Sequence, residues 1–423
     1  MPALARTGIF RAGSTPFCHL SSSLPIRNGK HLRIVVGGYL GLLPAGGITW
    51  DYVQYVLGFA SMGHDVFYIE DTCVWPIYQD SSSGEVTCEA NVAHLRRVMA
   101  AFGLQDRWAY RDEVTGKTFG MSQAAVDEVC RTADVFVNIS CSTFLRDEYR
   151  SIPIRVLIDS DPMFTQIQYL THATFTPGQT GIRSLVEGHT HHFTFGENVG
   201  DEDCRVPSTD VHWYPTRQPI ALDHWPVKPV PADGGGGFTT VMNWTAGKPL
   251  IYDGEAWCQK DVEFMRILDA PRLTRARLAM VVGQTEGVPF PVEVATRAGW
   301  HVLDPNVHVP DWGMYRQFIQ HSLGELSVAK ETYVKARTGW FSCRSACYLA
   351  SGRPVVTQDT GWTRHIPSGR GLIAFTTLDE AIAAIDDVLS DPRGHAETAR
   401  AIAEEAFDAR CVLGDLLATT GAT

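Results

Sequence analysis

The chain has 423 residues, 44% of them hydrophobic and 20% charged, a globular balance that excludes a mainly disordered chain, a coiled coil and a collagen-like fibre. That length exceeds what one hydrophobic core serves, so two or three domains are expected. With 36 Lys+Arg against 47 Asp+Glu the formal net charge is −11, which argues against wrapping a nucleic-acid backbone or an anionic membrane surface but leaves room for an anion in a local basic pocket.

Residues 1–30 carry Arg6, Arg11, Arg27 and Lys30 but no acid, and include Ser21-Ser22-Ser23. They read as a disordered leader, with the composition of an organelle transit segment as the alternative, and stand outside the fold. Residues 32–37 are β-branched and read as a buried parallel strand. The loop 37–47 is glycine-rich: Gly38, Gly46 and Gly47 suit a close approach of backbone to a ligand, and a merely long connection is the equal alternative. Thr49 is placed to cap a helix with an apolar face at Tyr52, Val53, Val56, Leu57 and Ala60, ended by Gly63. Residues 65–70 form the next strand, so a doubly wound α/β domain opens here. The glycines spread too widely for a dinucleotide fingerprint, and no Gly-Lys-Ser/Thr ending marks a P-loop. Further strands are expected at 134–139 and 155–158, and helices at 89–102 and 122–131.

His189-Thr190-His191-His192, near Asp201-Glu202-Asp203-Cys204, has the look of a metal tract, but no supporting motif accompanies it and no metal is expected. Trp213-Tyr214-Pro215 and Trp225 suit either a sugar face or an interface core. The segment 227–237 opens with prolines and ends in four glycines, a hinge signature. Strands then recur at 239–243, 278–282, 301–303, 326–329, 354–357 and 372–375. Helices alternate with them at 255–268, 291–298, 312–320, 342–350 and 378–389, which predicts a second parallel sheet covered on both faces. Residues 396–417 form one or two C-terminal helices. No apolar run reaches the ~18 residues of a spanning helix, so no integral membrane segment is expected. The ten cysteines include no CxxC pair and read as reduced thiols of a cytoplasmic protein. Cys343 and Cys347 read as helix core.

The most informative stretch runs from Lys330 to Trp362. Lys330, Lys335, Arg337 and Arg344 make a basic segment in an acidic chain. Gly339 permits close backbone approach. Ser342 and Ser345 flank a helix N-terminus, whose free N–H groups favour an anion such as a pyrophosphate. Gln358, Asp359, Thr360 and Gly361 follow the next strand, where polar groups suit hydroxyls.

"SACYLASGRPVVTQDTGW" resembles the donor-binding core of GT-B glycosyltransferases, and "GGITWDYVQYVLGFASMGHDVFYIED" resembles their N-terminal opening more weakly. The whole pattern is similar to bacterial members carrying "GWFSCRSACYLASGRPVV". The resemblance implies two doubly wound Rossmann-like domains facing across a cleft. The divisions are a leader 1–30, an N-terminal acceptor domain 31–226, a hinge 227–237, a C-terminal donor-binding domain 238–395 and helices 396–423 packing across both. It implies a metal-independent, hexosyltransferase-like enzyme with no cofactor, whose co-substrate is a nucleotide-diphosphate sugar and whose acceptor is a small molecule or glycan. The donor would meet Lys330, Gly339, Ser342, Arg344, Ser345, Gln358, Asp359, Thr360 and Gly361. Two departures leave the stereochemical outcome open: the Glu-x7-Glu pair is not intact, and residues 37–47 hold no His. For the base that an inverting transfer needs, Asp161 and Asp159 fit best, with Asp71 and Asp51 behind them; the same acids also suit turn caps. A sugar-nucleotide 2-epimerase of the same architecture and a non-catalytic sugar-nucleotide binder are the competing readings.

Overall fold

A computed structural model describes residues 31–73, 87–174, 181–230, 236–245, 247–283 and 288–422. The expected leader and part of the expected hinge lie outside these residues.

The first sheet has eight strands: β1 (Arg33–Gly37), β2 (Asp65–Glu70), β3 (Trp108–Arg111), β4 (Thr118–Gly120), β5 (Val135–Ile139), β6 (Ile154–Asp159), β7 (His191–Thr194) and β8 (Trp213–Pro215). Their order is β4-β3-β2-β1-β5-β6-β7-β8, parallel except for the β3–β4 pair. In the second half come β9 (Phe238–Asn243), the hairpin β10 (Leu250–Tyr252) and β11 (Glu255–Trp257), then β12 (Leu278–Gly283), β13 (His301–Leu303), β14 (Gly324–Ser327), β15 (Val355–Gln358) and β16 (Leu372–Phe375). The second sheet is all parallel in the order β13-β12-β9-β14-β15-β16. Strand order reverses at β1/β5 in one sheet and at β9/β14 in the other. Crevices open at such points, at the carboxyl ends of the strands.

The first helix spans Gly46–Ser61, starting three residues before Thr49; Thr49 bonds back to Ala45 O at 3.0 Å instead of capping. The helix expected over 255–268 is broken. Its first residues pair as β11, turned by Asp253 and Gly254 at φ 51° and 73°, and the helix proper is Lys260–Arg266.

The two halves share apolar packing. Trp50 and Trp225 are 1% and 0% exposed with ring centroids 4.7 Å apart, so Trp225 is core. Two C-terminal helices, Pro392–Ala406 and Ala409–Thr420, bridge the halves. Arg400 donates to Trp225 O and Ala350 O, and Ile220 N donates to Phe407 O at 2.7 Å. Leu413 and Ala409 sit against Gly58 of the first helix. Among the described residues no helix is long and apolar enough to cross a membrane.

Candidate active site

A cleft of about 650 Å³ lies between the two sheets. Tyr39, Ser140, Ser160, Asp161 and Phe195 reach it from loops after β1, β5, β6 and β7, and Ile139 from the end of β5. Val241 to Asn243, Gly283 and Lys330 reach it from β9, β12 and the segment after β14.

Three cations line it, all from the second half: Lys260, Lys330 and Arg344. Lys260 occupies the first position of the Lys260–Arg266 helix, where the backbone dipole repels a cation. Burial, then the charges of Arg344 and Lys330, push its ammonium down to about 7. Arg344 is 9% exposed and donates to Glu325, to Ser327 Oγ and, at 2.6 Å, to Val241 O. Lys330 Nζ lies 2.5 Å from Asp161 Oδ1 and over the rings of Phe164 and Tyr333 at 4.7 and 5.3 Å.

Two acids face the cations. Enclosure in the cleft pushes the Asp161 carboxyl up, but the Lys330 charge and hydrogen bonds from Lys330 and Tyr333 outweigh it and hold the group below the ordinary carboxylate range. Asp51 projects into the cleft from the first helix. Enclosure raises its carboxyl to about 6, against a hydrogen bond from the Cys343 thiol and the charges of Arg344 and Lys260. Asp159 is different: it is 0% exposed and accepts from Thr165 (2.6 Å), Gln166 (2.9 Å), Thr194 (2.8 Å) and Asp161 N (3.0 Å). It ties the loop after β6 together and does not line the cleft. Asp71 is bonded by Arg146, Arg111 and Tyr149.

The glycine loop is clamped from below. Glu70 accepts from Gly41 N at 2.7 Å and Leu42 N at 2.5 Å, and Asn91 donates to the carbonyls of both. Gly38 lies on the Tyr52 ring. Gly46 and Gly47 line the cleft and pack on Asp311 and Tyr315 of the second half.

The other residues singled out after Lys330 divide sharply. Ser342 lines the cleft at the N-terminus of the Cys343–Ala350 helix, with no side-chain cap bond. Ser345 is 0% exposed beneath it. Gln358 donates to Glu263, Asp359 accepts from Gly361 N at 2.7 Å, and Thr360 donates to Trp340 O at 2.6 Å. Gly339 and Gly361, at φ 78° and 94°, make their close approach to Asn198 of the first half, and Asn198 Nδ2 donates to Arg337 O and Gly361 O. None of these five residues lines the cleft: Gly339 and Gly361 lie at the seam with the first half, and Gln358, Asp359 and Thr360 bond within the second half. Lys335 pairs with Glu255 at 2.8 Å and Arg337 with Asp203 at 3.0 Å, so the basic segment does not act as one patch.

His189 bonds Leu185 O and Asn138, and His192 bonds Val186 O. Among the described residues one group, Asp71, Cys73 and Glu113, could share a cation. The Arg146 guanidinium already donates to all three.

Sequence reasoning missed Lys260, Tyr55 and Gln218, all of which line the cleft. A signal existed for Lys260: Asp253-Gly254 marks a hairpin, which moves the helix start to this residue.

No protein-family model matches the sequence, and no curated protein is similar to it. Solved structures share the fold. An alpha-glucosyltransferase in complex with UDP and a 13-mer DNA containing an HMU base has a TM-score of 0.58 at 11% identity, over 92% of this chain and 99% of that one. An alpha-glucosyltransferase in complex with UDP-glucose and DNA containing an abasic site has 0.56 at 12% identity, over 92% and 99%. Anabaena HepE in complex with UDP-glucose has 0.53 at 11% identity, over 93% and 100%. The architecture is therefore the GT-B fold: two α/β sheets with a cleft between them.

Proposed function

We propose that the chain is a glycosyltransferase whose donor is a nucleotide-diphosphate sugar bound in this cleft. One observation carries the reading. Lys260, Lys330 and Arg344 come from three separate elements of the second half, converge on one cleft, and face Asp51 across it. A diphosphate needs such a cluster of cations. The first turn of the Cys343–Ala350 helix adds backbone N–H groups beside it.

Asp51 suits the base better than Asp161. A base works best when its pKa lies near the working pH and its carboxylate is free. Asp51, raised to about 6 and bonded by the Cys343 thiol rather than by a cation, comes nearer to that condition; Asp161 is held low and spent on Lys330. In the step, an acceptor oxygen bonds to the anomeric carbon and its proton passes to Asp51. The bond from that carbon to the diphosphate oxygen breaks, and the nucleoside diphosphate leaves with the electron pair. The cations stabilise its developing charge.

The fold-sharing alpha-glucosyltransferases hold UDP and DNA, and HepE holds UDP-glucose. Uridine diphosphate sugars are therefore the first donors to try. A nucleic-acid acceptor fits poorly here: the net charge is −11 and every cation lining the cleft belongs to the donor side.

The test is calorimetry with UDP and a panel of UDP-, GDP- and TDP-sugars on wild type and Lys260→Met. At least one should bind wild type, and the variant should bind it tenfold or more weakly. Binding unchanged in Lys260→Met removes the cation cluster from the donor site. Turnover of a nucleotide sugar alone, to an epimer and without acceptor, would favour the epimerase reading instead.

A further inference from the structure

The wall opposite the cations carries hydroxyls and rings. Ser140 Oγ and Ser160 Oγ lie 2.7 Å apart at the ends of β5 and β6, and the Tyr52 hydroxyl bonds Ser140. Ser140 and the next residue, Cys141, hold φ 58° and 54°. Such left-handed backbone is strained for a non-glycine residue and gathers at functional sites.

Two further groups are unfinished. Tyr55 is 2% exposed and Gln218 5%, and among the described residues the Tyr55 hydroxyl and Gln218 Oε1 have no partner. Both line the cleft. Gln218 is fixed by its other end, since Nε2 donates to Phe341 O at 2.8 Å. The Tyr55 hydroxyl lies near enough to Asp51 and Cys343 to feel their charges. A buried polar atom without a partner is costly, and here two of them belong to residues that line the same cleft as the base.

The chemistry that satisfies this wall is narrow. Tyr55 can donate or accept, Gln218 Oε1 and Asp51 accept, and the serines do either. A phosphate-bearing acceptor would meet acceptor atoms and no cation on this side. A simple phenol has one hydroxyl and cannot serve Asp51, Tyr55 and Gln218 together. A polyhydroxylated ring can, with a C–H face against the Tyr39 and Tyr52 rings.

We propose that Tyr55 and Gln218 read the hydroxyls of an acceptor that is a neutral sugar or glycoside, oriented so that one further hydroxyl meets Asp51. The proposal rests on the glycosyl-transfer reading above.

The experiment measures release of nucleoside diphosphate from the donor found by the panel, with and without methyl glycosides, 4-nitrophenol or a 13-mer DNA duplex. A methyl glycoside should raise release above the rate in water. Tyr55→Phe should raise the glycoside KM fivefold or more while UDP affinity and Tm stay within error, because that hydroxyl bonds none of the described residues. Ser160→Ala, a milder change on the same wall, should act in the same direction. Stimulation by the phenol or DNA alone overturns the proposal. So does a Tyr55→Phe effect confined to the donor KM, or no effect at all. If wild type binds no nucleotide or nucleotide sugar, the glycosyl-transfer reading itself falls, and this proposal with it.

Discussion

Lys330 Nζ and Asp161 Oδ1 meet at 2.5 Å across the cleft, so a carboxylate of the first half neutralises a cation of the second where the donor phosphates are proposed to lie. Asp161 therefore competes with a diphosphate for Lys330. Asp161→Asn should tighten UDP binding several-fold at low ionic strength, where attraction to the freed ammonium is least screened. It should leave transfer within about tenfold of wild type. Asp51→Asn should cost about 10²–10⁴ in kcat with UDP affinity little changed. The reverse pattern, transfer lost in Asp161→Asn and kept in Asp51→Asn, makes Asp161 the base.

Lys260 should report the donor's arrival through a proton. Its ammonium is pushed down to about 7 in the free cleft, and a bound diphosphate favours the charged form. Binding at pH 7.5 should therefore take up a proton. Calorimetry in buffers of different ionisation enthalpy reads the uptake directly. It should vanish in Lys260→Met.

Much of this fold was legible because its strands are apolar and its helices amphipathic. Residues 65–70 and 372–375 form strands with the expected bounds, since each is a short run rich in apolar residues just after a glycine at positive φ. The strands that escaped are short or polar: β7 begins with two histidines, and β3 and β4 sit at a sheet edge. At the site, the basic segment after Lys330 was legible but its partners were not. Charge runs are visible in a sequence, whereas the carboxylates that pair with Lys335 and Arg337 lie at Glu255 and Asp203. For Gly339 the need for a close approach was visible; that Asn198 is what approaches follows only from the packing.

Arg344 is a poor probe of donor binding by itself. Its partner Glu325 is 0% exposed, with one carboxylate oxygen unpartnered already. Arg344→Ala leaves that charge buried alone, at a cost of about 3–5 kcal/mol. A large drop in Tm is expected, and Arg344→Met with Glu325→Gln should recover much of it. UDP binding should remain weak in the double variant. Should Arg344→Ala melt like wild type, the buried pair carries no such weight.

Glu70 makes the glycine loop sensitive to pH. Burial raises its carboxyl from the ordinary 4.5 to about 7, although Gly41 N, the Tyr68 hydroxyl and Leu42 N all favour the charged form. Between those two values the folded chain holds a proton that the unfolded chain has released. Stability from this group is therefore greatest below the lower value and falls as pH rises through the window. Glu70 should contribute up to about 3 kcal/mol in favour of pH 5 over pH 7.5, against buried His94 and His189, whose lowered pKa values of about 4 and 3 favour the higher pH; the share of Glu70 is read as the difference between wild type and Glu70→Gln. Glu70→Gln cannot titrate, so its urea stability at pH 5 relative to pH 7.5 should be lower than that of wild type by that share. Its amide can also accept from only one of the two loop N–H groups, which should loosen the segment that carries Tyr39 and leads into the Asp51 helix. Transfer should then fall in Glu70→Gln at every pH. A slope as steep in the variant as in wild type would locate the titrating group elsewhere.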